Sequence, residues 1–210
     1  MAVDSGMPLR ADARRNRDQI IAAARTIFVE QGPDAPMEEI ARAAGVGVGT
    51  LYRRFPDRES LIREVAGDSL ARAVTEARAS IDEEPTCWAA LVRFIGFSHE
   101  LRLSLHLAMI STQAGAIIRD DPTTEQYRQV LLTDLDRMVT GAQAEGEVRS
   151  DIGTGDVAML FVLLMRRLPN KLEEIEGAAE RCMALMLDGL RARPGSRLPS
   201  RPITYDDLLG

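Results

Sequence analysis

The sequence predicts an all-α protein, and three observations carry that prediction. Ile20, Ile21, Ala24, Ile27 and Phe28 fall at i, i+1, i+4, i+7 and i+8, one apolar stripe at helical period. No segment alternates polar and apolar residues over a useful length; Val46-Gly47-Val48 does so, but it is too short for a strand. Breakers stand between the periodic stretches, at Gly32-Pro33, Pro56, Pro85, Asp120-Asp121-Pro122, Gly146, Gly153-Thr154-Gly155 and Pro169.

The elements follow in order. The first helix is expected to begin at Asp12 and to stop at Gly32-Pro33. After Pro36 the run MEEIARAA forms a short helix with acids in its first turn, where the helix dipole favours them. Its inward face is Met37, Ile40 and Ala41, and Gly45 ends it. A third short helix runs from about Val48 to Phe55 and is closed by Pro56. Asp57 caps a long, mixed, charged helix that meets no breaker before Pro85 except Gly67, which suits a connector. Further helices are expected at 86–103, 104–118, 122–145, 155–168 and 171–193. The organisation is then 1–56 (with 1–12 as a flexible arm), 57–193, and a Pro-, Arg- and Ser-rich tail, 194–210, expected to be mobile.

Composition narrows the class. Apolar residues make up 45% of the 210, enough for a real core. Aromatics are only 4%, so the core rests on Leu, Ile, Val, Ala and the nine Met. The longest apolar run, Ala158 to Met165, falls well short of the ~20 residues a membrane helix needs. The start, MAVDSGMPLRADARR, carries no apolar segment behind its charges, unlike a secretory signal. Cys87 and Cys182 have no paired spacing, so neither a disulfide framework nor a cysteine zinc site is expected, and a cytoplasmic location is the default. Net charge is −6, but residues 1–56 hold eight arginines against seven acids. The arginines cluster at Arg14–Arg17 and Arg53–Arg54, a local basic patch on an acidic chain. Arginine abundance itself, 25 against one lysine, is a bias that base composition alone produces.

The stretch GVGVGTLYRRF concentrates the chemistry. Two short helices joined by a few residues with a glycine make a helix-turn-helix. Gly45 sits at the sharp turn, where glycine accepts positive φ. Ile40, Ala41, Ala44, Val46 and Leu51 would hold the pair over the Ile27/Phe28 stripe. Gly47 and Gly49 open the third helix, where a missing side chain lets the main chain approach a phosphate. Thr50, Tyr52, Arg53 and Arg54 add hydroxyls and guanidinium groups suited to phosphates and guanine edges. A flexible loop with Tyr52 half-buried fits the same letters.

The span from Arg14 to Leu61 resembles the N-terminal DNA-binding region of TetR-family transcriptional regulators. The matching parts are the Ile20–Phe28 helix, Gly32, MEEIARAAGV, GTLYRRF and Pro56-Asp-Arg-Glu-Ser-Leu. Beyond them, only GEVRSDIGTGDV (146–157) and LDGLR (187–191) match, and weakly. The resemblance implies a three-helix DNA-binding domain, a C-terminal helical ligand-binding and dimerisation domain, and a homodimer on a palindromic operator. It implies that a recognition helix near 47–54 reads double-stranded DNA and that a small apolar or amphipathic effector releases it, as in a repressor. It places Gly49, Thr50, Tyr52, Arg53 and Arg54 on the DNA face, and Arg58 where many relatives carry a phosphate-contacting lysine. With Arg14, Arg15, Arg17 and Gly47, these are the candidate DNA contacts. Two departures stand out: relatives usually have Thr or Ser where this chain has Pro36, and Ser where it has Gly47.

The C-terminal part is less explicit. Trp88, Phe97, His99, Met109, Gln113 and Tyr127 are candidate ligand contacts, although ordinary core packing explains the apolar ones equally. Val92, His99, His106 and Gln113 recur every seven residues, so they share one side of a helix if it is continuous. That spacing is poor for metal, and neither a metal nor a cofactor is expected. Residues 157–168 are apolar almost all round, and 175–190 add a second apolar face, which suits a two-fold four-helix interface. A ligand-independent DNA-binding dimer, or a helical enzyme using His99 or His106, are the alternatives; no nucleophile motif, phosphate loop or metal spacing favours the latter.

Overall fold

The computed structural model describes residues 6–97, 111–165, 178–192, 198 and 201–208, with side chains left undescribed at 6–11, 13, 97, 165 and 178–180. Among the described residues every regular element is helical, and the one β-feature is an isolated bridge between Val148 and Arg191. The chain divides into two compact units, 1–69 with 107–124 and 70–106 with 125–210.

The first unit begins with α1 (Gly6–Gln31), which starts ahead of the expected Asp12 and takes in part of the arm expected to be flexible. Ile20, Ile21, Ala24, Ile27 and Phe28 are all buried, as their spacing requires. Gly32, at φ 87°, donates to the Phe28 carbonyl (3.1 Å) and ends the helix in a left-handed turn. Then come α2 (Met37–Ala43) and α3 (Val48–Arg54), with α2 packed on α1 and α3 on α2. The turn between them is a full Schellman motif. The Val46 N–H donates to Ala41 O (3.0 Å), the Gly45 N–H to Arg42 O (3.1 Å), and Gly45 takes φ 68°.

The long helix α4 (Arg58–Glu83) is capped by Asp57, whose Oδ1 accepts from the Ser60 N–H at 2.7 Å. The divide between the units lies inside α4, after Ser69, and not at the expected 56/57. Within the first unit, Arg17 of α1 bonds Glu64 of α4, and Arg25 bonds Asp68. The first unit also takes in α6 (Thr112–Arg119), capped by the Ser111 hydroxyl, and buries Ala114 and Ile118 from it.

The second unit holds α5 (Cys87–Phe97), most of α7 (Pro122–Ala144), α8 (Thr154–Met165) and α9 (Ala178–Leu190). Its core contains Ala73, Ala77, Leu91, Phe94, Met138, Val139, Val157 and Leu190. The Glu145 carboxylate accepts from the Cys87 and Trp88 N–H groups (2.8 and 3.2 Å), so it caps α5. Arg191 lies 4.4 Å from the Trp88 ring centre and pairs with Glu147.

The tail departs from expectation. Residues 201–208, expected to be mobile, are tied to the second unit by specific bonds. The Ile203 N–H donates to Asp156 Oδ2 (3.1 Å), the Tyr205 hydroxyl meets Thr133 Oγ1 (3.1 Å), and Arg128 donates to Leu208 O (3.1 Å). Arg201 grips Asp207 with two bonds, at 2.6 and 2.7 Å. Ile203 fills the space a side chain would need at Gly153 and Gly155, so the Gly153-Thr154-Gly155 breaker is also the seat of the tail.

Two outcomes follow. Gly155→Val collides with Ile203 and costs about 1–3 kcal/mol, a drop of several degrees in melting temperature; in a chain truncated after Ser200 the same substitution is near neutral. Thermal melts of the four combinations measure this. Asp151 accepts two bonds from Arg149 (2.5 and 2.9 Å), which hold its carboxyl down to about 2 from the usual 3.8. A depressed folded value means its stabilisation is complete above about pH 4 and is lost as pH falls toward 2. Acid titration by circular dichroism should therefore show Asp151→Asn losing less stability than the parent across that window.

Candidate nucleic-acid interface

The candidate site is the outer surface of α3 and the chain around it. α3 has seven residues, and Leu51 alone among them is buried. Gly47, Val48, Gly49, Tyr52, Arg53 and Arg54 are exposed, and Thr50 is half-buried. Tyr52 keeps 42% of its surface, so the ring is not sealed in the core. Arg53 donates to Thr50 Oγ1 at 3.3 Å, which sets the two side chains together on one turn. Both arginines stand in the last turn, where the helix dipole favours cations.

The helix is weakly built on its own account. Its N-cap, Gly47, sits at φ −67° and ψ 144° and offers no side-chain bond. The Gly47 carbonyl accepts from Thr50 N and Leu51 N at 2.8 and 3.1 Å, which leaves the cap itself without a side-chain partner for the Val48 and Gly49 amides. A Cβ at Gly49 would meet nothing within 4 Å, and one at Gly47 only Thr50 Oγ1 at 4.0 Å. Among the described residues, no neighbour therefore requires glycine at either position.

The other basic candidates separate into two groups. Arg14 and Arg15 are exposed on α1. Arg17 is part-buried and bonded to Glu64 and Asp18. Arg58 is half-buried, with Nη1 donating to the carbonyls of Pro33 (2.8 Å) and Ala35. These two are engaged within the chain; the rest face outward. Sequence reading passed over Arg42, an exposed cation on the last turn of α2 whose nearest carboxylate, Glu39, is 3.8 Å away. Its place in the run MEEIARAAGV, opposite Met37 and Ile40, carried the signal.

The candidate ligand contacts come together less well. Gln113 is exposed on α6 in the first unit, whereas Trp88 and Tyr127 pack partly buried against the core of the second. Phe97 is the last residue of α5, and His99, His106 and Met109 lie outside the described residues. The seven-residue alignment with Gln113 does not survive, because Ser111 takes an extended conformation (φ −141°, ψ 129°) and starts a new helix. The second unit has an open cavity of about 190 Å3 lined by Ile81, Cys87, Arg137, Met138 and Glu145 among others, but by none of the six candidates. Burial and the neighbouring Glu145 push the Cys87 thiol up. No group of three His, Cys, Asp or Glu among the described residues is arranged to hold a metal, and no described helix is long and apolar enough to cross a membrane.

Comparison with known proteins decides the family. Residues 20–65 match the bacterial regulatory proteins of the tetR family, and residues 87–192 match the SbtR-like transcriptional regulator C-terminal domain. The chain belongs to the TetR family of transcriptional regulators. It is 34% identical to a TetR transcriptional regulator from Streptomyces coelicolor, whose crystal structure aligns with TM-score 0.62 over 83% of this chain and 98% of that one. A TetR regulator from Mycobacterium vanbaalenii is 32% identical, with TM-score 0.59 over 88% and 99%. The HTH-type transcriptional regulator UidR of Escherichia coli is 27% identical over 90% of this chain and 96% of its own. These relatives are transcriptional regulators and not enzymes, and the all-α architecture with an N-terminal helix-turn-helix is the TetR one.

Because no neighbour occupies the space at Gly49, Gly49→Ala should stabilise the TetR protein, by about 0.5–1 kcal/mol in helix propensity. If a duplex comes close to the main chain there, the same variant binds DNA more weakly. Melting temperature and DNA affinity moving in opposite directions is the expected result.

Proposed function

We propose that the protein is a homodimeric, ligand-responsive repressor that binds a palindromic operator through α3 and releases it when a small apolar or amphipathic effector binds. The observation that carries the DNA contact is the exposure of α3: one inward leucine and an outward set of Tyr52, Arg53, Arg54 and two glycines. A helix with one anchor and an open, cationic outer face suits insertion into a major groove, with Arg53 and Arg54 at base edges or phosphates. Thr50 and Tyr52 supply hydroxyl donors to phosphate oxygens. Arg14 and Arg15 flank the duplex from α1, with Arg42 on α2 as an added contact.

Self-association is supported by apolar surface on the second unit. Met159, Leu160 and Leu163 on α8 keep 45%, 39% and 52% of their area exposed, and Leu185 on α9 keeps 64%. The first three fall on one helical stripe, and a second copy would cover them. Two-fold symmetry then sets two copies of α3 about one helical turn of DNA apart, roughly 34 Å. The effector acts by favouring a conformer in which that spacing no longer fits, and a coupling of about 1–3 kcal/mol changes affinity 5- to 150-fold. A cytoplasmic location follows from DNA as the partner.

Selection of bound sequences from random DNA tests the reading, and an inverted repeat should emerge. On that operator, Tyr52→Phe should lower affinity roughly 10-fold while stability moves by less than about 0.5 kcal/mol. Sedimentation at micromolar concentration should give a dimer. Recovery of no common sequence, or a stable monomer, removes the corresponding part of the proposal.

A further inference from the structure

We propose that Arg58 is a positioning residue for DNA recognition: it holds the carbonyls of the loop that leads into α2 and so fixes the helix-turn-helix, and it is not a phosphate contact. The inference rests on the DNA-binding reading above and deepens it.

The geometry around α2 carries the argument. α2 begins at Pro36, with φ −61° and ψ 133°, and no side chain caps it. Proline presets φ but has no side-chain acceptor for the amides of the first turn. The loop before it, 32–36, starts at a left-handed glycine, Gly32, and closes on itself only through a 3.3 Å bond from Ala35 N to Gly32 O. Pro33 and Ala35 are both buried, so their carbonyls need donors from within the protein. One guanidinium nitrogen of Arg58 serves both, at 2.8 Å from Pro33 O and in direct contact with Ala35 O. These are charge-assisted bonds to the two carbonyls that flank Asp34 and lead into the α2 cap. Arg58 is itself held, since it opens α4 directly behind the Asp57–Ser60 cap. The chain of support runs from the capped start of α4, through Arg58, to the entry of α2, and through the Schellman turn at Gly45 to α3. A phosphate-binding role calls for an outward guanidinium; this one is half-buried and turned onto the loop.

The tail seated on Gly153 and Gly155 is a stability device already accounted for. The exposed face of α8 belongs to the proposed dimer. The cavity beside Cys87 has no buried, unpartnered donor aimed into it among its lining residues.

The test uses the full chain and the operator recovered by selection, titrated at two or more salt concentrations. The variants are Arg58→Ala and Arg58→Gln. Arg58→Ala should bind about 10-fold or more weakly with the salt slope unchanged within half a unit, because no phosphate partner is lost. Arg58→Gln keeps a side-chain N–H donor for the two loop carbonyls and should recover most of the loss. Amide exchange at Ala35, whose N–H closes the loop on Gly32 O, should quicken in Arg58→Ala and slow again in Arg58→Gln. That readout needs no DNA, so it separates failure of this proposal from failure of the DNA reading. Should Arg58→Ala not fold, Arg58→Gln, which keeps a donor without the charge, carries the test: near-parental affinity supports positioning. A slope lowered by about 1 in both variants would overturn the proposal, as would parental affinity and exchange in Arg58→Ala.

Discussion

Burial of Leu51 is the constraint on which the recognition surface depends. α3 has no side-chain cap, two glycines in or beside its first turn, and seven residues in all, too few to be stable alone. Its order comes from tertiary packing: Leu51 fully buried, Phe55 buried at its end, and the Schellman turn at Gly45 behind it. Because one face is spent on Leu51, everything else on the helix is free to face outward. A helix with a wider apolar stripe would be steadier but would present fewer groups. The stripe of α1, with Phe28 and Ile20 fully buried, supplies in the same small unit the core that α3 itself lacks.

Charge explains why an acidic chain presents a basic surface. Arg17, Arg25 and Arg58 are consumed inside the first unit, on Glu64, Asp68 and two carbonyls. Those pairs are part-buried and tie α1 and the 32–36 loop to α4, so their effect is orientation more than net field. The arginines left outward, at 14, 15, 42, 53 and 54, meet water and whatever lies beyond it. Electrostatic attraction of a duplex depends on that outward subset, which the total of −6 conceals.

What the letters disclosed follows physical range. Gly45 at positive φ, the inward Met37, Ile40 and Ala41, the Asp57 cap and the exposed Tyr52 are all set by residues within a turn or two, and each was readable. The fates of Arg17 and Arg58 were not, because their partners stand 47, 25 and 23 residues away and any arginine looks alike in sequence. The tail was misread for a related reason. Proline, arginine and serine mark a segment that cannot build its own structure, yet Ile203 finds a seat cleared by Gly153 and Gly155, two residues that by themselves read only as a breaker. Ser111 likewise looked like one polar residue in a helical run, and its extended conformation split the run.

The pattern of local rules broken is itself informative. Pro36 and Gly47 are both cap positions without a capping side chain, and both lie in the pair of helices that would meet DNA. At Pro36 the loop that leads into the helix is held from α4, by a guanidinium that donates to the loop carbonyls. At Gly47 no side chain covers it, and the space around Gly49 is open. The two departures are therefore different in kind. One adjoins a loop held within the fold and belongs to the support of the recognition helix. The other is left open on its outer face, where a phosphate backbone, approaching without obstruction from a Cβ, would supply what the chain does not.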